Sequence, residues 1–194
     1  MSRTQRQMRT ASTVFETRDD DGKLAIEGYF AVFNSIYQMD ERMSESIAPG
    51  AFDNTLADDI RALINHDTTL VLGRTKAGTL QLRADSHGLW GHIDINPNDT
   101  DAMNLYNRVQ RGDVDQCSFG FDILNEETDF REDGTVHWTI KEVKLYEVSP
   151  CTFPAYEETS IAARAKERND LLKRRSDAWK EEQMKKLKGE KEDA

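Results

Sequence analysis

The sequence predicts an α+β protein whose body is β-rich and whose final segment is a separate charged tail. Three observations carry that reading. Short alternating segments rich in aromatic and β-branched residues recur between turn residues from about residue 24 to residue 150. Within that span at least two stretches read as helices, residues 48–58 and 98–113. From Arg164 to the end the charge changes sign, with 11 Lys+Arg against 8 Asp+Glu, a net of +3. The chain totals are 26 and 36, so the first 163 residues hold 15 basic and 28 acidic groups, a net of −13.

Taken in order, residues 1–23 are polar and end in Arg18-Asp19-Asp20-Asp21-Gly22-Lys23, which reads as a flexible arm and a turn. LAIEGYFAVFNSIY alternates and reads as a strand. APGAFDNTLAD has Pro49 near its start and Phe52 and Leu56 one turn apart, predicting a short helix. DIRALINHD places Ile60, Ala62, Ile64 and His66 on one face if extended. TLVLGRTKAGTLQLRADSHGLWGHIDIN reads as several short strands punctuated by Gly73, Gly78 and Gly88. NDTDAMNLYNRVQRGD reads as a helix: Asn98 caps it, Ala102, Leu105 and Val109 share a face, and Gly112 ends it. DQCSFGFDIL is again a strand, NEETDFREDGTV a polar excursion with an Asp-Gly turn, and HWTIKEVKLYEVSP a strand stopped by Pro150. Residues 164–194, with sparse apolar positions at Leu171, Leu172, Trp179, Met184 and Leu187, read as an exposed helix or a disordered tail.

Composition excludes several classes. No apolar run approaches the ~18 residues a membrane helix needs. The basic N-terminus MSRTQRQMRTAS lacks the apolar core of a secretory signal, which points to a cytosolic product. Two cysteines, Cys117 and Cys151, with no CxxC spacing, make neither a disulfide framework nor a zinc site and read as free thiols. An acidic body repels phosphates and disfavours nucleic acid as a direct partner.

The stretch QCSFGF sets two nucleophilic side chains side by side. Period-two alternation puts Cys117, Phe119, Phe121 and Ile123 on one face and Ser118, Gly120 and Asp122 on the other. The first set is a core face, so Cys117 reads as a small buried residue and Ser118 as the hydroxyl open to chemistry, with Gly120 leaving the approach clear. A serine needs a base, usually a histidine held by a third group. His87 lies in a turn, His92 alternates with Trp90 and Asp94, and His137 borders a hairpin, while His66 ends an apolar face and is the best placed to be rigid. Glu147 shares a face with Val143 and Leu145, where a carboxylate needs a partner such as His66. The alternation changes phase near Lys141, so a bulge can move Glu147, with Asp67 as the other acid. His66, His87, His92, Asp67 and Asp94 are metal-capable, but none has a recognised ligand spacing.

Taken together, ALINHDTTLVLGRTKAGTLQLRADSHGLWGHIDI, RGDVDQCSFGF, EVKLYEVSPCTFPAYEETSI, GYFAVFNS and APGAFDNTL resemble the prohead maturation proteases of tailed bacteriophages over roughly residues 24–163. The resemblance implies a mostly antiparallel, barrel-like fold shared with the herpesvirus assemblins, a few flanking helices, and no cofactor or metal. It implies a serine endopeptidase with His66 of NHD as general base and Ser118 of SFGF as nucleophile. The herpesvirus relatives use a second histidine in third place, where this sequence offers Glu147. The implied domains are an arm at 1–23, a protease domain at 24–163 and a tail at 164–194. The implied partners are the major capsid protein with its scaffolding segment and the chain itself through self-cleavage, inside the procapsid, with no membrane and room for a homo-oligomer. The competing readings are a non-catalytic scaffold-binding protein, a Cys117 nucleophile, and a metal-dependent hydrolase.

Overall fold

The computed structural model describes residues 7–12, 15–153 and 158–192. The start of the N-terminal arm and the Pro154–Ala155 end of the TFPA motif lie outside those residues. The elements are β1 (Gln7–Ser12), β2 (Glu16–Asp20), β3 (Lys23–Val32), β4 (Tyr37–Asp40), β5 (Met43–Ile47), β6 (Arg61–Ile64), β7 (Asp67–Arg74), β8 (Leu80–Ala84), β9 (Gly88–Ile95), α1 (Thr100–Arg111), β10 (Gln116–Phe130), β11 (Val136–Cys151) and α2 (Glu158–Glu192).

They form two sheets. The smaller runs β2-β3-β9-β8, and the larger β1-β10-β11-β5-β4, with β6 also on β11 and β7 on β6. Among the described residues only the β11–β5 and β11–β6 pairings are parallel, so the mostly antiparallel expectation holds. β11 serves both because it is long: Val136–Ile140 take β5, and Glu147 and Val148 take β6. Ile26, Phe30, Leu89 and Ile93 of the smaller sheet pack into one core with Phe119, Phe121, Leu145 and Val148 of the larger. Ala102, Leu105, Tyr106 and Val109 of α1 close that core.

Four local readings are corrected. The arm contains β1 and β2, and β2 is joined to β3 by a tight turn with Asp21 and Gly22 at φ 53° and 83°. Positive φ at both central residues is what a type I′ hairpin needs. The ETRDD edge strand exposes most of its side chains, so it carries no apolar alternation. Residues 49–58 are not helical: Gly50 sits at φ 85°, and the segment folds into successive turns such as Asp53 N–H to Gly50 O and Thr55 N–H to Phe52 O. Phe52 is still buried, so the apolar spacing reported burial without helix. The α1 cap is Asp99, whose carboxylate accepts from the Asp101 and Ala102 N–H groups, one place beyond Asn98. The polar excursion is the outer part of a long hairpin in which β10 and β11 continue to Phe130 and from Val136.

The charged tail is a helix, α2, and its first described side chain is not solvated. Arg164 is fully buried. Its guanidinium bonds Glu45 and Glu126 and lies 4.5 Å from the centre of the Trp138 ring. Arg168 bonds the Gly134 carbonyl, and farther along Trp179 and Met184 are exposed.

Candidate active site

His66 does not extend the β6 strand face, as the alternation suggested. Ile64 pairs with Asp67, and Asn65 and His66 form the two-residue turn between β6 and β7 with φ 50° and 62°. Left-handed backbone at two non-glycine residues costs free energy that the surroundings must offset. Here the end of β11 does so. The Asn65 N–H donates to the Pro150 carbonyl, the Thr152 N–H donates to Asn65 Oδ1, and the His66 N–H donates to Ser149 Oγ. The turn is docked, which aims the imidazole rather than leaving it in solvent.

Glu147 is re-aimed by a bulge. Leu145 pairs with Phe121 but Glu147 pairs with Gly120, leaving Tyr146 as the extra residue. Leu145 therefore shares the Phe119–Phe121 core face, while Glu147 lies on the opposite face with Ser118 and Gly120. A second phase change at Lys141 matches the one legible in the sequence, since Asn125 pairs with Glu142 and Glu126 with Ile140. Directly opposite Ser118 stands Ser149. One face of the β10–β11 ladder thus carries Ser118, Gly120, Glu147 and Ser149.

The Glu147 carboxylate reaches across Gly120: a Cβ there would fall 2.5 Å from Glu147 Oε1. Gly120 makes room for the acid, not for an approaching substrate as the alternation implied. From that position Oε1 accepts a hydrogen bond from His66 Nδ1 at 2.7 Å, and Oε2 accepts one from Ser149 Oγ at 2.6 Å. Asp67, the other acid considered, instead accepts from the Thr69 N–H and hydroxyl, which hold its carboxyl below the ordinary range. In the neutral ring with Nδ1 donating, Nε2 is the acceptor. His66 Nε2 and Ser118 Oγ are both buried without a hydrogen-bond partner. A cavity of ≈ 250 Å³ adjoins Glu147, lined also by Arg61, Leu63, Thr68, Val71 and Tyr146.

The remaining thiols and histidines are engaged elsewhere. Cys117 Sγ faces the core and bonds the Tyr29 carbonyl, away from Ser118. Burial, aided by Cys117 and Glu147, pushes the Cys151 thiol up to about 12, so it holds its proton at neutral pH. Both cysteines are free. His137 sits between the Ser44 and Ser46 hydroxyls, and His87 packs edge-on against Tyr29. His92 bonds Glu27 and Asp94. Among the described residues no group of three or more His, Cys, Asp or Glu could hold a metal ion. Ser149 is the site residue that sequence reasoning passed over; its signal was its place two residues after Glu147, on the same strand face.

The family model for the caudovirus prohead serine protease matches residues 12–174. The chain belongs to that family. It is 34% identical over 148 residues to the prohead protease of Enterobacteria phage HK97, across 74% of this chain and 61% of that protein. The chain thus spans about three fifths of that relative's length. It is also similar to the solved bacteriophage T4 capsid assembly protease, with a TM-score of 0.49 and 11% identity over 76% of this chain and 97% of that one.

Proposed function

We propose that the chain is a working serine endopeptidase in which Ser118 is the nucleophile, His66 the general base and Glu147 the carboxylate that orients the imidazole. One observation carries this reading. His66 Nδ1 is bound to Glu147 at 2.7 Å while Nε2 and Ser118 Oγ, both shut off from solvent, have no partner. Leaving a buried polar atom unpaired costs about 1–3 kcal/mol. Ser149, across the ladder from Ser118, bonds both the His66 backbone and Glu147, so the free ring nitrogen and the free hydroxyl belong to one site, where they can pair once substrate draws them to hydrogen-bond distance.

In this mechanism Ser118 Oγ attacks the carbonyl carbon of the scissile peptide and its proton passes to His66 Nε2. The tetrahedral intermediate collapses, the C–N bond breaks, and Nε2 returns the proton to the leaving amine. Water then attacks the acyl ester by the same relay, releasing the new carboxyl group and restoring the serine. The Glu147 carboxylate orients the ring and stabilises the transient imidazolium. Acidification stops the cycle, because a protonated Nε2 cannot accept the serine proton.

The substrates in this reading are the scaffolding region of the major capsid protein and the enzyme's own chain, cut inside the procapsid. Membership of the prohead protease family and the name of the HK97 relative support it. The catalytic unit is residues 24–163 with an assemblin-like, barrel-like arrangement, flanked by the arm at 1–23 and the tail at 164–194. Co-expression with the capsid protein tests it. The Ser118→Ala variant is expected to fold and to leave the capsid protein uncut. Undiminished cleavage by that variant overturns the reading and leaves a scaffold-binding protein in its place.

A further inference from the structure

We propose that Ser149 is a positioning residue of this relay, holding acid and base in one geometry through a single hydroxyl; the proposal rests on the protease reading above. Ser149 is fully buried and touches both the base and its acid. Its hydroxyl proton goes to Glu147 Oε2 at 2.6 Å, and its oxygen accepts the His66 backbone N–H at 3.3 Å. One O–H donor and two lone pairs suffice for both bonds. Ser149 also lies directly across the ladder from Ser118. It is therefore next to the nucleophile, bonded to the acid, and bonded to the backbone that carries the base.

Physical reasons make that hydroxyl more than a satisfied core group. A glutamate's terminal torsion is broad, so a carboxylate held through one oxygen swings. The space over Gly120 into which Glu147 reaches has no side chain of its own to stop such rotation. Fixing Oε2 leaves Oε1 aligned on Nδ1. The second bond acts on the turn: His66 is held at φ 62°, and Ser149 Oγ is the acceptor for its own N–H. Removing the hydroxyl frees the acid and loosens the strained backbone beneath the ring together. A misplacement on the order of 1 Å costs roughly 100-fold in rate.

The test uses the full chain and a fluorophosphonate probe, whose labelling rate reports the activated serine without any peptide substrate. Ser149→Ala is expected to label roughly 10- to 100-fold more slowly than the wild type, and Ser149→Thr, which keeps the hydroxyl, to recover most of that rate. The downfield Nδ1–H proton resonance of His66 should be sharp in the wild type and Ser149→Thr, and broadened or lost in Ser149→Ala. A Ser149→Ala protein that labels at the wild-type rate with the resonance unchanged overturns the proposal. If that variant does not fold, Ser149→Cys, nearly isosteric but a weak donor, replaces it; slow labelling supports the role and wild-type labelling removes it. Ser118→Ala must abolish labelling. If it does not, the triad reading fails and takes this proposal with it, whereas a silent Ser149→Ala beside an inert Ser118→Ala sinks only the role of Ser149.

Discussion

Among the described residues, two histidine–glutamate pairs are built on almost the same bond. His66 Nδ1 meets Glu147 at 2.7 Å on the larger sheet, and His92 Nδ1 meets Glu27 at 2.6 Å on the smaller. The difference lies on the far side of each ring. His92 Nε2 meets Asp94 at 2.9 Å, and Glu27 also takes Arg18 at 2.7 Å. Carboxylates on both nitrogens require both to be donors, which is the charged imidazolium. His66 has one carboxylate, a buried Nε2 with no partner, and Ser149 steadying the acid. A histidine–carboxylate contact therefore does not make a base. The proposed base differs from His92 in having a second nitrogen kept dry and unclaimed.

Replacing each ring in turn breaks the comparison most sharply. His66→Gln is expected to lower the rate of serine labelling by roughly 10⁴- to 10⁶-fold, with the His66→Gln/Ser118→Ala double variant no worse than either alone. His92→Gln is expected to stay within about twofold of the wild type. Equal losses at both positions erase the distinction drawn here.

A third buried carboxylate sharpens it from the other direction. Glu45 on β5 accepts from the guanidinium groups of both Arg9 and Arg164, tying β1 and α2 to the same residue. Burial alone pushes its carboxyl up, but the two guanidinium groups outweigh burial and hold it below the ordinary range. Glu45 is compensated by full charges, whereas Glu147 is met by a ring and a hydroxyl. Glu45→Gln should cost about 3–5 kcal/mol of stability by leaving two buried guanidinium groups short of a partner. The labelling rate per folded molecule should hold. A carboxyl lowered on folding stabilises above its unfolded pKa, near 4.5 here, and that contribution disappears as pH falls through the folded value. Urea midpoints below pH 4.5 should therefore fall in the wild type and less so in Glu45→Gln.

Gly120→Ala makes a smaller change inside the site. Its methyl group would sit 2.5 Å from Glu147 Oε1, so the acid must give way. Overpacking of this kind costs about 1–3 kcal/mol, and here it should appear as a roughly 10- to 100-fold slower labelling rate rather than as lost fold. A wild-type rate shows that the acid's position is not what sets activity.

The parts of this structure that were legible in the sequence are those whose apolar side chains alternate along a strand, whether the other face is partly wet, as in β9, or buried, as around Ser118 in β10. β3, β9 and the first half of β10 announce themselves by alternation, and Cys117 and Ser118 are separated correctly by it. β2 and the outer half of β10 are wet over much of their surface, so the same physics leaves no period to read. At the site, His66 and Glu147 were found as a pair by a route that fails in detail. His66 was placed on an extended apolar face and sits in a left-handed turn, while Glu147 was placed with Leu145 and is turned to the other face at Tyr146. A bulge is one extra residue with no composition of its own, which is why alternation can flag a phase change yet not say which face wins. Ser149 had no signal beyond its spacing from Glu147, because a buried hydroxyl is recognised only by its partners.

The smallest expected effect separates the two histidines by stability rather than by activity. Burial alone draws His92 down, but its bonds to Glu27 and Asp94 outweigh burial and hold its pKa above the ordinary histidine value. A histidine raised on folding stabilises fully below its unfolded pKa, near 6.5, and that stability is lost as pH rises through the folded value. The Asp94 side chain is 52% exposed, so solvent and salt screen the pair and the contribution stays below about 1 kcal/mol. Asp94→Asn is expected to remove part of that pH dependence above 6.5 while leaving serine labelling untouched, read from urea midpoints between pH 6 and 9 at low salt. If Asp94→Asn leaves the wild-type pH profile of stability intact, the second carboxylate is not what holds the His92 ring charged, and the contrast with the open nitrogen of His66 must rest on burial alone.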